Sequence, residues 1–165
     1  MALILENMQA SDWPAVESIY AEGLAAGNAT FETEVPRWAE WDAAHLPVCR
    51  LVARCCEQVV GWAALSRVSG RQAYCGVAEV SIYVTSSSRG RGVGAALLGR
   101  LVVESERHGF WTLQASIFPE NEASIRLHRA AGFREVGHRE RIGQMNGAWR
   151  DTILMERRSR LVGNT

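Results

Sequence analysis

The segment Arg89-Gly-Arg-Gly-Val-Gly94 lies between a strand-like stretch, Val77 to Val84, and a stretch with helical spacing that puts Leu97, Leu98, Leu101 and Val102 on one face. This juncture constrains the fold more than any other feature of the 165 residues. Glycines at a strand-to-helix turn leave backbone N–H groups and the positive end of the helix open to an anion. The terminus supplies roughly half an elementary charge, and Arg89 and Arg91 add full charges beside it. Such a juncture suits a pyrophosphate, and a purely structural glycine turn is the alternative reading. A Walker-type phosphate loop would need Gly-Lys followed by Ser or Thr, which is missing here. A dinucleotide fingerprint would need its third glycine at position 95 or later, where Ala95, Ala96 and Leu97 stand. The loop also follows three or four antiparallel strands, whereas a dinucleotide fold usually begins with that unit.

The remaining elements are read from pattern and punctuation. Ala2 to Met8 reads as a strand, and Ser11 is expected to cap a helix whose apolar face is Val16, Ile19, Tyr20, Gly23 and Leu24, stopped by Gly27 and Asn28. Pro36 opens a short helix through Trp38 and Trp41. Cys49 to Cys56 and Val59 to Leu65 form a hairpin turning near Glu57 and Gln58. Trp111 to Ile117 returns as a strand, Asn121 to Ala130 is a helix ended by Gly132, and two last strands flank Asn146-Gly147. The expected fold class is α/β, also describable as α+β. It has a mixed, mostly antiparallel central sheet of about six to seven strands flanked by helices, in a single domain over residues 1–165. Hydrophobic residues at 47% and charged residues at 22% fit a compact globule rather than a disordered chain.

Several partners are excluded. Eighteen basic residues balance eighteen acidic ones, so no positive field is present to attract nucleic acid. No stretch approaches the roughly 20 apolar residues that span a bilayer, and the start carries Glu6, so no membrane partner and a cytoplasmic location are expected. Cys49, Cys55, Cys56 and Cys75 lack C-x-x-C spacing and a nearby His pair, which speaks against a metal; they are read as buried strand residues in a reducing compartment.

Arg89-x-x-Gly92-x-Gly94 matches the Q/R-x-x-G-x-G/A signature, and Asn121-Glu-Ala-Ser124 with the following helix into Gly132-Phe133 matches the second signature, of the GNAT acetyltransferases. Ala29-Thr-Phe31-Glu, Arg71-Gln-Ala-Tyr74, Ala78-Glu79-Val-Ser-Ile-Tyr83-Val, Asn121 through His128, and Gly147-Ala-Trp149-Arg-Asp151 carry the resemblance further. It runs nearly end to end. Within the superfamily the chain resembles the phosphinothricin N-acetyltransferase group and its relatives acting on methionine sulfoximine or arsinothricin. Two departures bear on substrate: Ser69 stands where many members carry Lys or Arg, and Ile142 to Gly147 replaces their aromatic and lysine-containing run.

The resemblance implies acetyl-CoA as cosubstrate. Its pyrophosphate would be wrapped by Arg89, Gly90, Arg91, Gly92, Val93, Gly94 and Ala95, with Ile82, Tyr83 and Val84 along its reactive end and Asn121 and Ser124 at the pantetheine arm. Asn121 also reads as a helix cap. Acetyl transfer needs a neutral amine, and an α-amino group with a pKa of about 8 is roughly nine tenths protonated at pH 7. Glu79 matches the group's base, acting directly or through water. His128, where many GNAT enzymes have a tyrosine, is expected as general acid or as a polar partner of the reacting centre; the division of roles between the two stays open. A splayed strand would supply oxyanion donors from the backbone around Ile82 to Val84. The substrate-binding set is Phe31, Arg71, Tyr74, Glu79, Tyr83 and Trp149, with Arg71 and Tyr74 meeting acidic groups. Trp13, Trp38, Trp41, Trp62 and Trp111 are read as core or dimer surface, and the related enzymes imply a homodimer. The rival readings are an acetyltransferase of protein or peptide amines and an acyl-CoA-binding sensor without catalysis.

Overall fold

A computed structural model of the chain describes residues 2–164. Among these residues seven strands form one sheet in the order β1-β2-β3-β4-β5-β7-β6. They are β1 (Leu3–Asn7), β2 (Leu51–Cys55), β3 (Gln58–Arg67), β4 (Val77–Val84), β5 (Thr112–Ile117), β6 (Arg134–Met145) and β7 (Ala148–Arg158). Every neighbouring pair is antiparallel except β4 and β5, which are parallel. The helices are α1 (Trp13–Ala26), α2 (Trp38–Ala44), α3 (Val93–Arg107) and α4 (Glu122–Ala130). This is the mixed α/β architecture expected from the glycine juncture and the hairpin punctuation.

The period-2 alternation of the central strands divides the core between the two faces of the sheet. On one face Ala63, Leu65, Ala78, Leu113, Ala115, Ile153 and Met155 pack under Val93, Leu97, Leu98 and Leu101 of α3. On the other, Val52, Trp62 and Ala64 pack under Val16, Ile19 and Tyr20 of α1 and Trp41 of α2. Trp41 and Trp62 are fully buried. Trp13 and Trp38 lean half-buried on the same cluster, and half-buried Trp111 lies where a Cβ on Gly76 would come within 2.1 Å of its ring.

Two local expectations are corrected. Ser11 does not cap α1: it lies within a 3₁₀ turn over Ala10–Asp12, and Asp12 is the capping residue, without a side-chain capping bond. The Asp12 carboxylate accepts instead from the Gln9 N–H at 2.8 Å and pairs with Arg54 on β2, a partner 42 residues away. The helix does end at Gly27, whose φ of 76° is the left-handed cap glycine tolerates. Of the four cysteines only Cys49 is buried, and it precedes β2 in a loop with φ 59°; Cys55 is half-buried at the end of β2, and Cys56 and Cys75 are exposed in turns.

Candidate active site

The parallel pairing of β4 and β5 lasts only three residues, from Val77↔Thr112 to Glu79↔Gln114. Beyond Glu79, β4 keeps its partner β3 as far as Gly61↔Val84, while β5 stays with β7 as far as Ile117↔Ile153. The two central strands therefore part, and the edge of β4 from Val80 to Val84 faces the gap without a strand partner. Backbone groups on such an edge need other partners. Two cavities open here, and they share Ala29, Ile82, Tyr83, Asn121 and Ser124 as a common wall.

The first is a cleft of about 620 Å³. It is lined by Ile82, Tyr83, Val84, Arg89, Gly90, Gly92, Val93, Gly94, Ala95, Asn121 and Ser124, eleven of the twelve residues expected at acetyl-CoA; Arg91 is exposed and does not line it. Gly90 and Gly92 hold φ of 72° and 81°, and Gly92 is the N-terminal cap of α3, so the first N–H groups of that helix are presented to the cleft. Arg89 and Arg126 supply positive charge on the same walls. Glycine turn, helix terminus and two guanidiniums suit a diphosphate, and the gap beside the open edge of β4 suits a narrow arm.

Sequence reasoning missed three parts of this cleft. Glu22 on α1 accepts from the Ser86 N–H at 2.7 Å and the Thr85 hydroxyl at 2.9 Å, fixing the start of the glycine loop. The Ser86 N–H, together with the hydroxyl, holds its carboxyl below the usual range. Arg126 carried only the i,i+4 spacing to Glu122, with which it pairs at 3.6 Å. Arg150 on β7 lies 3.9 Å over the Phe118 ring and donates to the Gly27 carbonyl and to Asn28 Oδ1, both at 3.2 Å. Asn121 Nδ2 donates to the Asn28 carbonyl at 3.1 Å while its Oδ1 accepts from Ser124 N–H at 3.2 Å, so the expected cap is formed. These bonds tie the segment after α1 across the mouth of the gap. No pattern within that segment could announce it.

The second cavity, about 310 Å³, is lined by Phe31, Glu79, Tyr83, His128, Ser116, Phe118 and Thr152 among others. Glu79 points to the α1 face because Ala78 and Val80 belong to the α3-side core. Phe31 packs edge-on against Phe118, with ring centroids 4.8 Å apart, and its ring lies where a Cβ on Gly143 would be 2.9 Å away. Burial pushes the Tyr83 phenol up, so it stays protonated at neutral pH. Arg71 and Tyr74 line neither cavity: they stand together on an exposed 3₁₀ turn, the guanidinium 5.6 Å over the ring. Trp149, 60% exposed on β7, also lies outside both.

His128 is 2% exposed on α4, with Phe133 edge-on at 5.0 Å. Its Nδ1 lies 2.8 Å from the Ser124 carbonyl oxygen, which can only accept, so Nδ1 carries the proton and Nε2 the lone pair. In this tautomer Nε2 has no proton to give and acts first as an acceptor. Burial lowers the pKa of the ring and keeps it neutral. A histidine neutral in the fold binds its proton more readily when unfolded, so its contribution to stability is complete above an unfolded value of about 6.5 and is lost as pH falls below it. His45, also lowered by burial, adds to the same trend. Urea unfolding of wild type between pH 7.5 and 5.5 is expected to show stability falling with pH, and His128→Gln to show a flatter slope. Equal slopes would refute the assignment.

Comparison with known proteins agrees with this geometry. Residues 8–133 match the Acetyltransferase (GNAT) family. The chain is 35% identical over 154 residues to the phosphinothricin N-acetyltransferase of Alcaligenes faecalis, covering 88% of this chain and 77% of that one. It is 33% identical to the L-methionine sulfoximine/L-methionine sulfone acetyltransferase of Pseudomonas paraeruginosa, over 94% of each chain. The crystal structure of a GNAT superfamily phosphinothricin acetyltransferase from Sinorhizobium meliloti in complex with AcCoA superposes with a TM-score of 0.89 at 33% identity, covering all of this chain and 92% of the other. With family and structural matches over most of the chain, and a cleft that suits a diphosphate beside a splayed strand, the chain is a member of the GNAT acetyltransferase family, an N-acetyltransferase that takes acetyl from acetyl-CoA.

Proposed function

We propose that the enzyme acetylates the primary α-amino group of a small amino-acid-like molecule of the phosphinothricin, methionine sulfoximine or arsinothricin type, and thereby detoxifies it. The observation that carries this reading is the common wall of the two cavities: a thioester lying along the open edge of β4 reaches a small pocket that holds Glu79 and His128. The 310 Å³ pocket is suited to one amino acid, and the named relatives act on such molecules. Pyrophosphate binding falls to the α3 terminus with Arg89 and Arg126. Asn121 and Ser124 flank the pantetheine arm.

In this reading Glu79 takes a proton from the bound ammonium, directly or through a water, and the freed lone pair attacks the thioester carbonyl carbon. Backbone N–H groups on the unpaired edge between Ile82 and Val84 stabilise the oxyanion. Collapse of the tetrahedral intermediate breaks the C–S bond. The second proton of the attacking nitrogen passes to the departing thiolate, whose thiol pKa is about 8.5 by analogy with cysteine, and Glu79 returns the first proton to solvent. A homodimer belongs to the same reading, with exposed Tyr74, Ile142 and Trp149 as apolar surface for a second copy.

Release of CoA, followed with acetyl-CoA and a panel of phosphinothricin, L-methionine sulfoximine, L-methionine sulfone and arsinothricin, tests the substrate class. Turnover of at least one analogue is expected. Acetyl-CoA binding with no turnover across the panel, but activity on peptide amines, would overturn it in favour of a peptide acetyltransferase; binding without turnover on any amine would favour the sensor.

A further inference from the structure

Two residues that line the acceptor pocket each carry a buried side-chain polar atom with no hydrogen-bond partner: His128 Nε2 and Thr152 Oγ1. Their residues are 2% and 3% exposed. An unsatisfied buried polar group is costly, and such groups are rare enough in folded proteins that each needs an explanation. The two remaining orphans among the described residues, Trp41 Nε1 and Trp62 Nε1, belong to the aromatic core and line neither cavity. The pair in the pocket is therefore not part of a loosely satisfied core.

The chemistry of the pair specifies its ligand. With Nδ1–H committed to the Ser124 carbonyl, Nε2 accepts only, and a carboxylate, phosphinate or arsinate oxygen would meet its lone pair unfavourably. Thr152 Oγ1 can accept as well as donate. Glu79 and Glu32 line the same cavity, and no Arg does. The floor thus offers acceptors and negative charge, which is the complement of an ammonium with its three N–H donors.

We propose that Thr152 is a specificity-determining residue, its buried hydroxyl accepting, together with His128 Nε2, the N–H groups of the substrate's primary amine. This rests on the amino-acid reading given above and deepens it. The amine enters first and turns toward the gap between β4 and β5, while the acidic pole of the substrate remains at the mouth, beyond Glu32. A hydrogen bond to a charged partner is worth about 1.5–3 kcal/mol, or roughly 10–100-fold in affinity. A tertiary amine, whose ammonium keeps a single N–H, leaves at least one of the two atoms unpaired.

The test is calorimetric binding of L-methionine sulfoximine and phosphinothricin to the full chain saturated with CoA, in wild type, Thr152→Val and Thr152→Ser, alongside thermal melting. Thr152→Val should weaken amino-acid binding roughly tenfold or more. Acetyl-CoA affinity should not change, because Thr152 does not line the donor cleft. Its melting temperature should stay level or rise, since the substitution removes a hydroxyl that has no partner in the free protein. Thr152→Ser should restore binding. Wild-type affinity in Thr152→Val would overturn the proposal, as would a fall in both binding and melting temperature, which would assign the hydroxyl to a structural water. If wild type binds the probes and shows the split between variants but transfers no acetyl group to them, the substrate reading fails and this one stands. If turnover is normal and no split appears, the reverse holds. A wild type that binds neither probe overturns both.

Discussion

Glu79→Gln is expected to lower kcat by about 10²–10⁴-fold at pH 7, the range that a positioned general base contributes. The substitution keeps the shape and hydrogen-bonding reach of the side chain but cannot take a proton. Glu79 is the last β4 residue whose register partner, Gln114, lies on β5, so its backbone is held on both edges. A change of side-chain chemistry there should leave the fold intact. The loss should be greatest below the amine's own pKa of about 8, where nearly all substrate arrives as ammonium, and should shrink toward pH 9 as the solution delivers neutral amine. The acetyl-CoA Kd should be unchanged, because Glu79 lines only the smaller cavity. Stopped-flow CoA release across pH 6–9 checks it. A variant with wild-type kcat at pH 6.5 would remove Glu79 from the mechanism.

Gly92→Val is expected to raise the acetyl-CoA Kd by about 10–100-fold, for a different reason. At φ 81° a β-branched residue is strained by about 1–3 kcal/mol, and the strain relaxes by turning the peptide away from the left-handed region. That movement re-aims the N–H groups at the start of α3. A Cβ at Gly92 meets no protein atom within 4 Å, so direct collision within the protein is not the cause. Gly99, in the middle of α3, also has open space around its Cβ but no left-handed φ. Gly99→Ala therefore serves as the control, expected to hold acetyl-CoA normally and to gain up to about 1 kcal/mol from helix propensity. Equal cofactor affinity in both variants would mean that the anion is not held by the helix terminus.

Much of the fold was legible because its signals are local. The 3.6-residue spacing of Val16, Ile19, Tyr20 and Gly23, and that of Leu97, Leu98, Leu101 and Val102, marks the faces that α1 and α3 bury. Gly27 and Asn146-Gly147 mark stops and turns by backbone preference alone. Where a local signal faced a distant competitor it failed. Ser11 has a capping side chain, but the Asp12 carboxylate is engaged by Arg54 from β2, and this pairing sets the entry into α1. The cysteines misled similarly, since residue type describes an average burial while Cys56 and Cys75 fall in turns.

The candidate site divides along the same line. By itself the sequence determined the strand, glycine loop and helix that suit a pyrophosphate, because φ > 0 at glycine, helix capping and strand alternation act within a few residues, whereas Glu79 and His128 stand out only through the resemblance to the GNAT family. Only the tertiary structure decided that β4 and β5 part after Glu79, that Arg150 ties the segment after α1 over the gap, that Arg71, Tyr74 and Trp149 stand outside the pocket, and that His128 and Thr152, which line it, keep Nε2 and Oγ1 without partners. Each of these depends on the pairing register of strands and loops far apart in the chain. Such registers are set by how the whole core packs, not by the preferences of neighbouring residues.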